Sequence, residues 1–287
     1  MPRGKSLKIF LLDGEATGRW TCVLSGRTTK AYKIPRAYYK QCSDIDELRS
    51  TAVYLLFGVD EETDRPVVYI GETEDAIERL GQHYKNEEKS YWNDAVVFIS
   101  QDEHFNKAHI KYLESRFYEI AKEVDRYKVM NAKPPTKSSI AVDEQAEMED
   151  FIDNARVITL ALGYKVFEAL LHKNVDETVG PGEQFFYITN RNGVSAKGIN
   201  TAEGFVVCKG SVIKVSAKAK SMRPKTVKLR EQYLADGTIV DGKFTRDTLF
   251  ESPSAASDFI LGNNTSGPRE WKNENGQSMR DVMALEG

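Results

Sequence analysis

Ala52-Val53-Tyr54-Leu55-Leu56-Phe57-Gly58, the polar connection from Asp60 to Pro66, and Val67-Val68-Tyr69-Ile70-Gly71 decide the reading of this chain. Both runs are rich in β-branched and aromatic residues, and the proline-terminated connection between them predicts an antiparallel hairpin. After Gly71 the chain passes through Glu72-Thr73-Glu74-Asp75 into a helix, with Thr73 the expected N-cap and the acids at the positive end of the helix dipole. Arg79 and His83 lie four residues apart on that helix and so share one face. Ala95-Val96-Val97-Phe98-Ile99 predicts a third, buried strand. A second helix, from about Asn106 to Val124, carries Ile110, Leu113, Phe117, Ile120, Ala121 and Val124 at spacings of three and four, a core-facing stripe. Glu114 falls on that stripe. A carboxylate there must be paired, bound to a cation or placed at the margin of the buried face, because an isolated buried charge is very costly.

The order of hairpin, Arg79, His83, third strand, Glu114 and Asn131 resembles the GIY-YIG nuclease family. The resemblance implies an α+β fold in which a three-stranded antiparallel sheet is flanked by helices. It further implies that Tyr54 and Tyr69 are the motif tyrosines, Arg79 the helix arginine, His83 the residue one turn on, Glu114 the ligand of one Mg²⁺ or Mn²⁺ ion, and Asn131 the late asparagine. Ala52 stands where the family's first glycine would, a small change unless that position needs positive φ. The implied activity is metal-dependent hydrolysis of DNA phosphodiester bonds. That chemistry suits the residue types: Glu114 is a hard oxygen ligand, and Arg79 offers a planar, permanently charged fork to phosphate oxygens. Tyr54 is the expected general base, its ordinary pKa of about 10 lowered by Arg79 and the cation. His83 would orient or relay its proton, and Tyr69 would give a second hydrogen bond to water or phosphate. The alternative is a catalytically inactive module of the same fold, used to bind nucleic acid or to assemble a complex. Retention of the whole polar set favours the enzyme. His104 and His109 match no motif position and read as surface residues.

At 287 residues the chain has room for two domains. Its net charge of -3 carries no bulk signature of a nucleic-acid enzyme. No apolar run approaches the ~18 residues of a membrane span, and the start of the chain lacks the apolar core of a secretory signal. Cys22, Cys42 and Cys208 are scattered and odd in number, which argues against a disulfide framework. These features lead us to expect a cytoplasmic protein with no membrane contact. Residues 1–50 read as a β-rich extension packed on the nuclease-like domain of residues 51–133. Residues 134–183 read as a linker, stiffened by Pro134-Pro135, and a connecting helix whose acids, Asp143, Glu144, Glu147, Glu149, Asp150 and Asp153, form a solvated face.

Residues 184–287 read as a second, small α+β domain. It resembles an uncharacterised domain family found after GIY-YIG and restriction-type proteins, through Gly204-Phe205-Val206-Val207-Cys208-Lys209-Gly210-Ser211, Phe250, Ser252-Pro253-Ser254-Ala255-Ala256, Gly262, Gly267 and Trp271-Lys272. Ser252 and Pro253 predict a helix start and Gly262 its end. Lys209, Lys214, Lys218, Lys220, Arg223, Lys225, Lys228 and Arg230 follow one another with no acid between them, a candidate grip on the phosphate backbone of a DNA substrate.

Overall fold

The computed structural model describes residues 4–102, 104–171, 184–191, 193–215 and 222–286. The chain forms two compact units, Met1–Ala169 and Leu170–Gly287, and each is an α+β assembly around its own sheet.

The first unit is organised by one seven-stranded sheet. Its strands are β1 (Leu7–Leu11), β2 (Trp20–Leu24), β3 (Thr29–Pro35), β4 (Ala52–Val59), β5 (Pro66–Thr73), β6 (Trp92–Ser100) and β7 (Lys128–Val129). They lie in the order β1-β2-β3-β6-β4-β5-β7. The expected hairpin is β4–β5, in register from Ala52 opposite Thr73 to Val59 opposite Pro66, and the expected third strand, β6, pairs antiparallel with β4. The N-terminal strands correct the sequence reading. They do not pack on this core as a separate layer; β3 pairs with β6 along seven residue pairs and continues the same sheet. The physical reason is alternation: Ala31 and Ile34 supply buried side chains to opposite faces of the sheet, as an inner strand must.

Helix α1 (Ala76–Lys85) covers one face of the sheet, with Ala76 and Leu80 packed among Tyr54, Leu56, Val97 and Trp92. Its N-cap is Asp75, whose carboxylate accepts from the Glu78 amide at 2.9 Å, rather than Thr73, whose hydroxyl instead bonds the Asp75 backbone. Helices α2 (Lys107–Val124) and α3 (Val142–Ala161) cover the opposite face. Ile110, Leu113, Phe117 and Ala121 of α2 are buried there against Val53, Leu55 and Ile70. Helix α3 is a core element of this unit and not a connecting helix. Met148, Phe151, Ile152, Ala155 and Ile158 are buried in the same cluster, each removing apolar surface worth about 1.5–3 kcal/mol per large side chain. Its acids are engaged as well: Glu149 with Arg116 and Tyr112, Asp150 with Arg27, Glu144 with His109 at 3.1 Å, Glu147 with His104 at 3.5 Å, and Asp153 with Arg156 at 3.9 Å. His109 is therefore no surface residue; it is 2% exposed and completes the capping box of α2 with Asn106.

The β4–β5 connection is held by Asp60. Its side chain accepts from the Glu62 and Thr63 amides and pairs with Lys128 of β7, and Lys128 holds the carboxyl down to about 2. A carboxylate depressed in the folded state contributes stability above its unfolded pKa and loses it as pH falls toward the folded value. Urea unfolding of the wild type should accordingly weaken between about pH 4 and 2, and Asp60→Asn should flatten that slope while lowering stability at pH 7. An unchanged acid limb in the variant would refute the assignment.

The second unit contains a four-stranded antiparallel sheet in the order β13-β10-β9-β8, from strands β8 (Phe185–Thr189), β9 (Ser195–Thr201), β10 (Gly204–Val207) and β13 (Thr248–Phe250). A two-stranded ribbon, β11 (Ile239–Val240) with β12 (Lys243–Phe244), and helices α4 (Pro224–Ala235), α5 (Pro253–Leu261), α6 (Gly267–Glu270) and α7 (Met279–Glu286) complete it. Phe205, Phe244, Phe250, Phe259 and Trp271 form its core. Helix α5 starts at Ser252, which accepts from the Ala255 amide, and ends at Gly262 in the left-handed region, as expected.

Candidate active site

Tyr54 stands at the centre of a polar cluster beneath α1. Its side chain is fully buried, and two helix residues converge on its hydroxyl: Arg79 Nε at 3.1 Å and His83 Nε2 at 2.7 Å. An arginine only donates, so the Arg79 bond runs onto the phenol oxygen. The phenol proton is then best directed at His83 Nε2, which is free to accept because the ring is neutral at pH 7: burial, with the charges of Lys89 and Arg79, depresses His83 to about 3. Tyr69 leans on both neighbours, its ring 6.2 Å from that of Tyr54 and 5.2 Å from His83, and its hydroxyl also acts on Arg79. The four-residue spacing of Arg79 and His83 thus places both where the sequence reading put them.

Tyr54 fits only because Gly71 lies opposite it on β5. A Cβ on Gly71 would come within 2.4 Å of the Tyr54 ring and hydroxyl. Gly71→Ala should therefore push the phenol out of register with Arg79 and His83, at an overpacking cost of about 1–3 kcal/mol. The check is a thermal melt together with tyrosine ring shifts by NMR; a variant with wild-type stability and an undisturbed Tyr54 would refute it. Ala52, by contrast, has no positive φ, so the missing motif glycine imposes no backbone strain.

Glu114 reaches this cluster from the other side. Helix α2 packs on the face opposite α1, yet the Glu114 carboxylate is near enough for Arg79 to act on it and for it to act on Tyr54. Beyond Val68, where the β7 pairing ends, β5 is the outer strand. Glu114 makes no hydrogen bond or ion pair among the described residues. Burial, then the nearby Glu72, raises it to about 7, against the opposing pull of Lys107, Arg79 and Lys111. This half-buried carboxylate has no direct cationic partner among the described residues. An open cavity of about 430 Å³ lies alongside, where Glu72, Glu74, Asp75 and Glu78 face Arg79, Gln82 and Lys107.

Two expectations change here. Asn131 does not face the reacting groups with a free amide: its Oδ1 accepts from the Ile70 amide at 3.0 Å and its Nδ2 donates to the Ile70 carbonyl at 2.7 Å. It extends the β5 edge next to Gly71. Nor does the Arg79 charge by itself, without a bound cation, lower the Tyr54 pKa. Burial, with Tyr69, holds it well above the ordinary tyrosine value and outweighs the opposing effect of Arg79.

The basic run of the second unit is also reassigned in part. Arg230 is buried, donating to the Phe259 and Lys214 carbonyls, Lys225 pairs with Glu251 at 2.7 Å, and Arg223 lies 3.8 Å from Asp258. Free of acids in sequence order, the stretch meets acids in space. Lys209 and Lys228 are exposed and Lys214 half-buried, with no ion pair among the described residues, while Lys218 and Lys220 lie outside the described residues.

Residues 186–283, within the second unit, match a family described as a domain of unknown function (DUF4357). No curated protein matches the chain, and no solved structure does. Among the described residues no helix is long and apolar enough to cross a membrane.

Proposed function

We propose that the first unit is a GIY-YIG-type, metal-dependent endonuclease acting on DNA phosphodiester bonds, as the sequence resemblance implies. The observation that carries this reading is the Tyr54 hydroxyl, held between Arg79 Nε at 3.1 Å and His83 Nε2 at 2.7 Å. A tyrosine kept merely for packing has no need of a cationic donor and an imidazole acceptor converging on one buried oxygen.

The raised pKa of Tyr54 argues against a standing phenolate. A relay meets the difficulty. As the attacking water passes its proton to the Tyr54 oxygen, the phenol proton moves along the 2.7 Å contact to His83 Nε2, so tyrosine remains neutral throughout and the imidazole takes the charge. Burial opposes the imidazolium, and the growing negative charge on the phosphate offsets that cost. Arg79 would meet a non-bridging phosphate oxygen.

The site also suits one hard cation. Glu114 is a half-buried carboxylate with no hydrogen-bond or ion-pair partner among the described residues, and among them no group of three or more His, Cys, Asp or Glu side chains forms a cage. Glu114 would thus be the protein's main ligand, in the water-rich mode that Mg²⁺ prefers. When bound, the ion supplies Lewis-acid stabilisation of the phosphate and leaving oxygen.

The inactive-module alternative rests on the firm hold of the Tyr54 proton and on the four acids around the cavity mouth, which repel a polyanion. A nicking assay on supercoiled, branched and single-stranded DNA separates the two. The expected result is nicking that requires Mg²⁺ or Mn²⁺ and stops on chelation; folded protein that cuts none of the three would favour the inactive module.

A further inference from the structure

Lys89 ends the single-turn segment Glu87–Lys89 that follows α1, and its ammonium lies 3.6 Å from the centre of the Tyr69 ring. The contact is cation–π in geometry, but its surroundings are unusual for a lysine. Lys89 is half-buried, has no carboxylate within ion-pair distance among the described residues, and its charged neighbour is another cation, Arg79. Arg79 likewise has no carboxylate within ion-pair distance among the described residues: its side-chain hydrogen bonds go to the Tyr54 hydroxyl and the neutral Gln82. Burial, and then the repulsion of the nearby Arg79 charge, depresses Lys89 to about 8.

The chain works to keep Lys89 there. Asn86 caps the segment by accepting from the Glu88 amide. Arg36, on the turn after β3, donates to the carbonyls of Lys89 at 3.0 Å, Ser90 at 3.2 Å and Tyr84 at 3.2 Å. A guanidinium spent on backbone carbonyls fixes the path of the chain that presents the ammonium. Two neighbouring cations with no direct ion pair among the described residues, one of them held by such a clamp, form an arrangement that an anion relieves.

We propose that Lys89 and Arg79 form a two-pronged anion site around Tyr69 that holds the phosphate of the substrate, with Lys89 taking one non-bridging oxygen and Arg79 another. This deepens the nuclease reading and rests on it for the identity of the phosphate as a phosphodiester. It also gives Tyr69 a further task, since its ring face holds the ammonium while its hydroxyl acts on the guanidinium.

The test compares the wild type with Lys89→Met, which keeps length and apolar bulk, and Lys89→Arg, which keeps the charge, using Lys85→Met on exposed Lys85 as a control. Binding of inorganic phosphate is followed by titration calorimetry and by the NMR shifts of the Arg79 Nε–H, and cleavage is measured on the same preparations. Lys89→Met should lose about 10- to 100-fold in phosphate affinity and as much in cleavage rate, Lys89→Arg should recover most of both, and all variants should melt with the wild type. Wild-type phosphate binding and cleavage in Lys89→Met would overturn the proposal while leaving the nuclease reading intact. Loss of phosphate binding in Lys89→Met from a wild type that cuts no nucleic acid would uphold the anion site and sink the nuclease reading. A wild type that neither binds phosphate nor cuts would overturn both.

Discussion

Glu114→Gln is expected to abolish metal-dependent cleavage, by about 10³-fold or more at saturating Mg²⁺, while leaving the fold intact or slightly more stable. The two halves of this expectation have separate causes. Catalysis falls because the amide retains the size and one acceptor of the carboxylate but not the charge that binds a hard cation. Stability holds because the charge is a cost in the metal-free protein: burial and Glu72 push the Glu114 pKa up to about 7, and no cation pairs with it directly. A carboxyl raised in the folded state loses stability as pH climbs from its unfolded value toward that raised value. At pH 7 in chelator, the glutamine variant should accordingly melt at or above the wild-type temperature, and Mg²⁺ should raise the melting temperature of the wild type alone. Single-turnover cleavage and calorimetric melts test both halves. Undiminished cleavage by Glu114→Gln would remove Glu114 from the mechanism, and a large drop in melting temperature would make it a structural residue.

What the sequence disclosed and what it withheld divide along one physical line. Local patterns were legible. The β4–β5 hairpin, the shared face of Arg79 and His83, and the Ser252–Gly262 bounds of α5 each follow from spacing or from a cap within a few residues. Pairings set by distant parts of the chain were not. Nothing in Thr29–Pro35 says that it will lie beside Trp92–Ser100, and the acids of α3 read as solvated until Arg27, His109 and Arg116 are brought to them by the fold. The same holds for the basic run, whose partners Glu251 and Asp258 follow it in sequence by more than twenty residues. Within the candidate site, Tyr54, Tyr69, Arg79 and His83 meet as their order suggested, whereas Asn131 turned out to be spent on the Ile70 backbone. Lys89 was missed altogether. In Glu87-Glu88-Lys89 it looks like part of a solvated charge run, and only the Arg36 clamp and the Tyr69 ring single it out.

The second large effect is expected from Tyr54→Phe. General acid–base groups contribute about 10²–10⁴-fold, and in the relay Tyr54 is the sole link between the attacking water and His83, so cleavage should fall by about 10³-fold. Unlike Glu114→Gln, this variant should also lose stability. It leaves Arg79 Nε and His83 Nε2 without the oxygen they share, in a region where Tyr54 is fully buried and His83 is 3% exposed. An orphaned buried polar group costs about 1–3 kcal/mol, and Arg79 recovers part of it by turning toward Gln82 and solvent. The pH dependence distinguishes a relay from a phenolate base. His83 is held near 3 by burial and its cationic neighbours, so it stays neutral across the working range, and the rate should show no limb near the ordinary histidine value of about 6.5. A phenolate base, with Tyr54 raised as it is, would instead give a rate that climbs roughly tenfold per pH unit up to high pH, and His83→Ala would then cost little. The relay requires that His83→Ala be nearly as damaging as Tyr54→Phe and that the double variant be no worse than either alone, because each removes the same proton path. Additive losses in that cycle would show that Tyr54 and His83 act independently, and the 2.7 Å contact between them would then serve orientation alone.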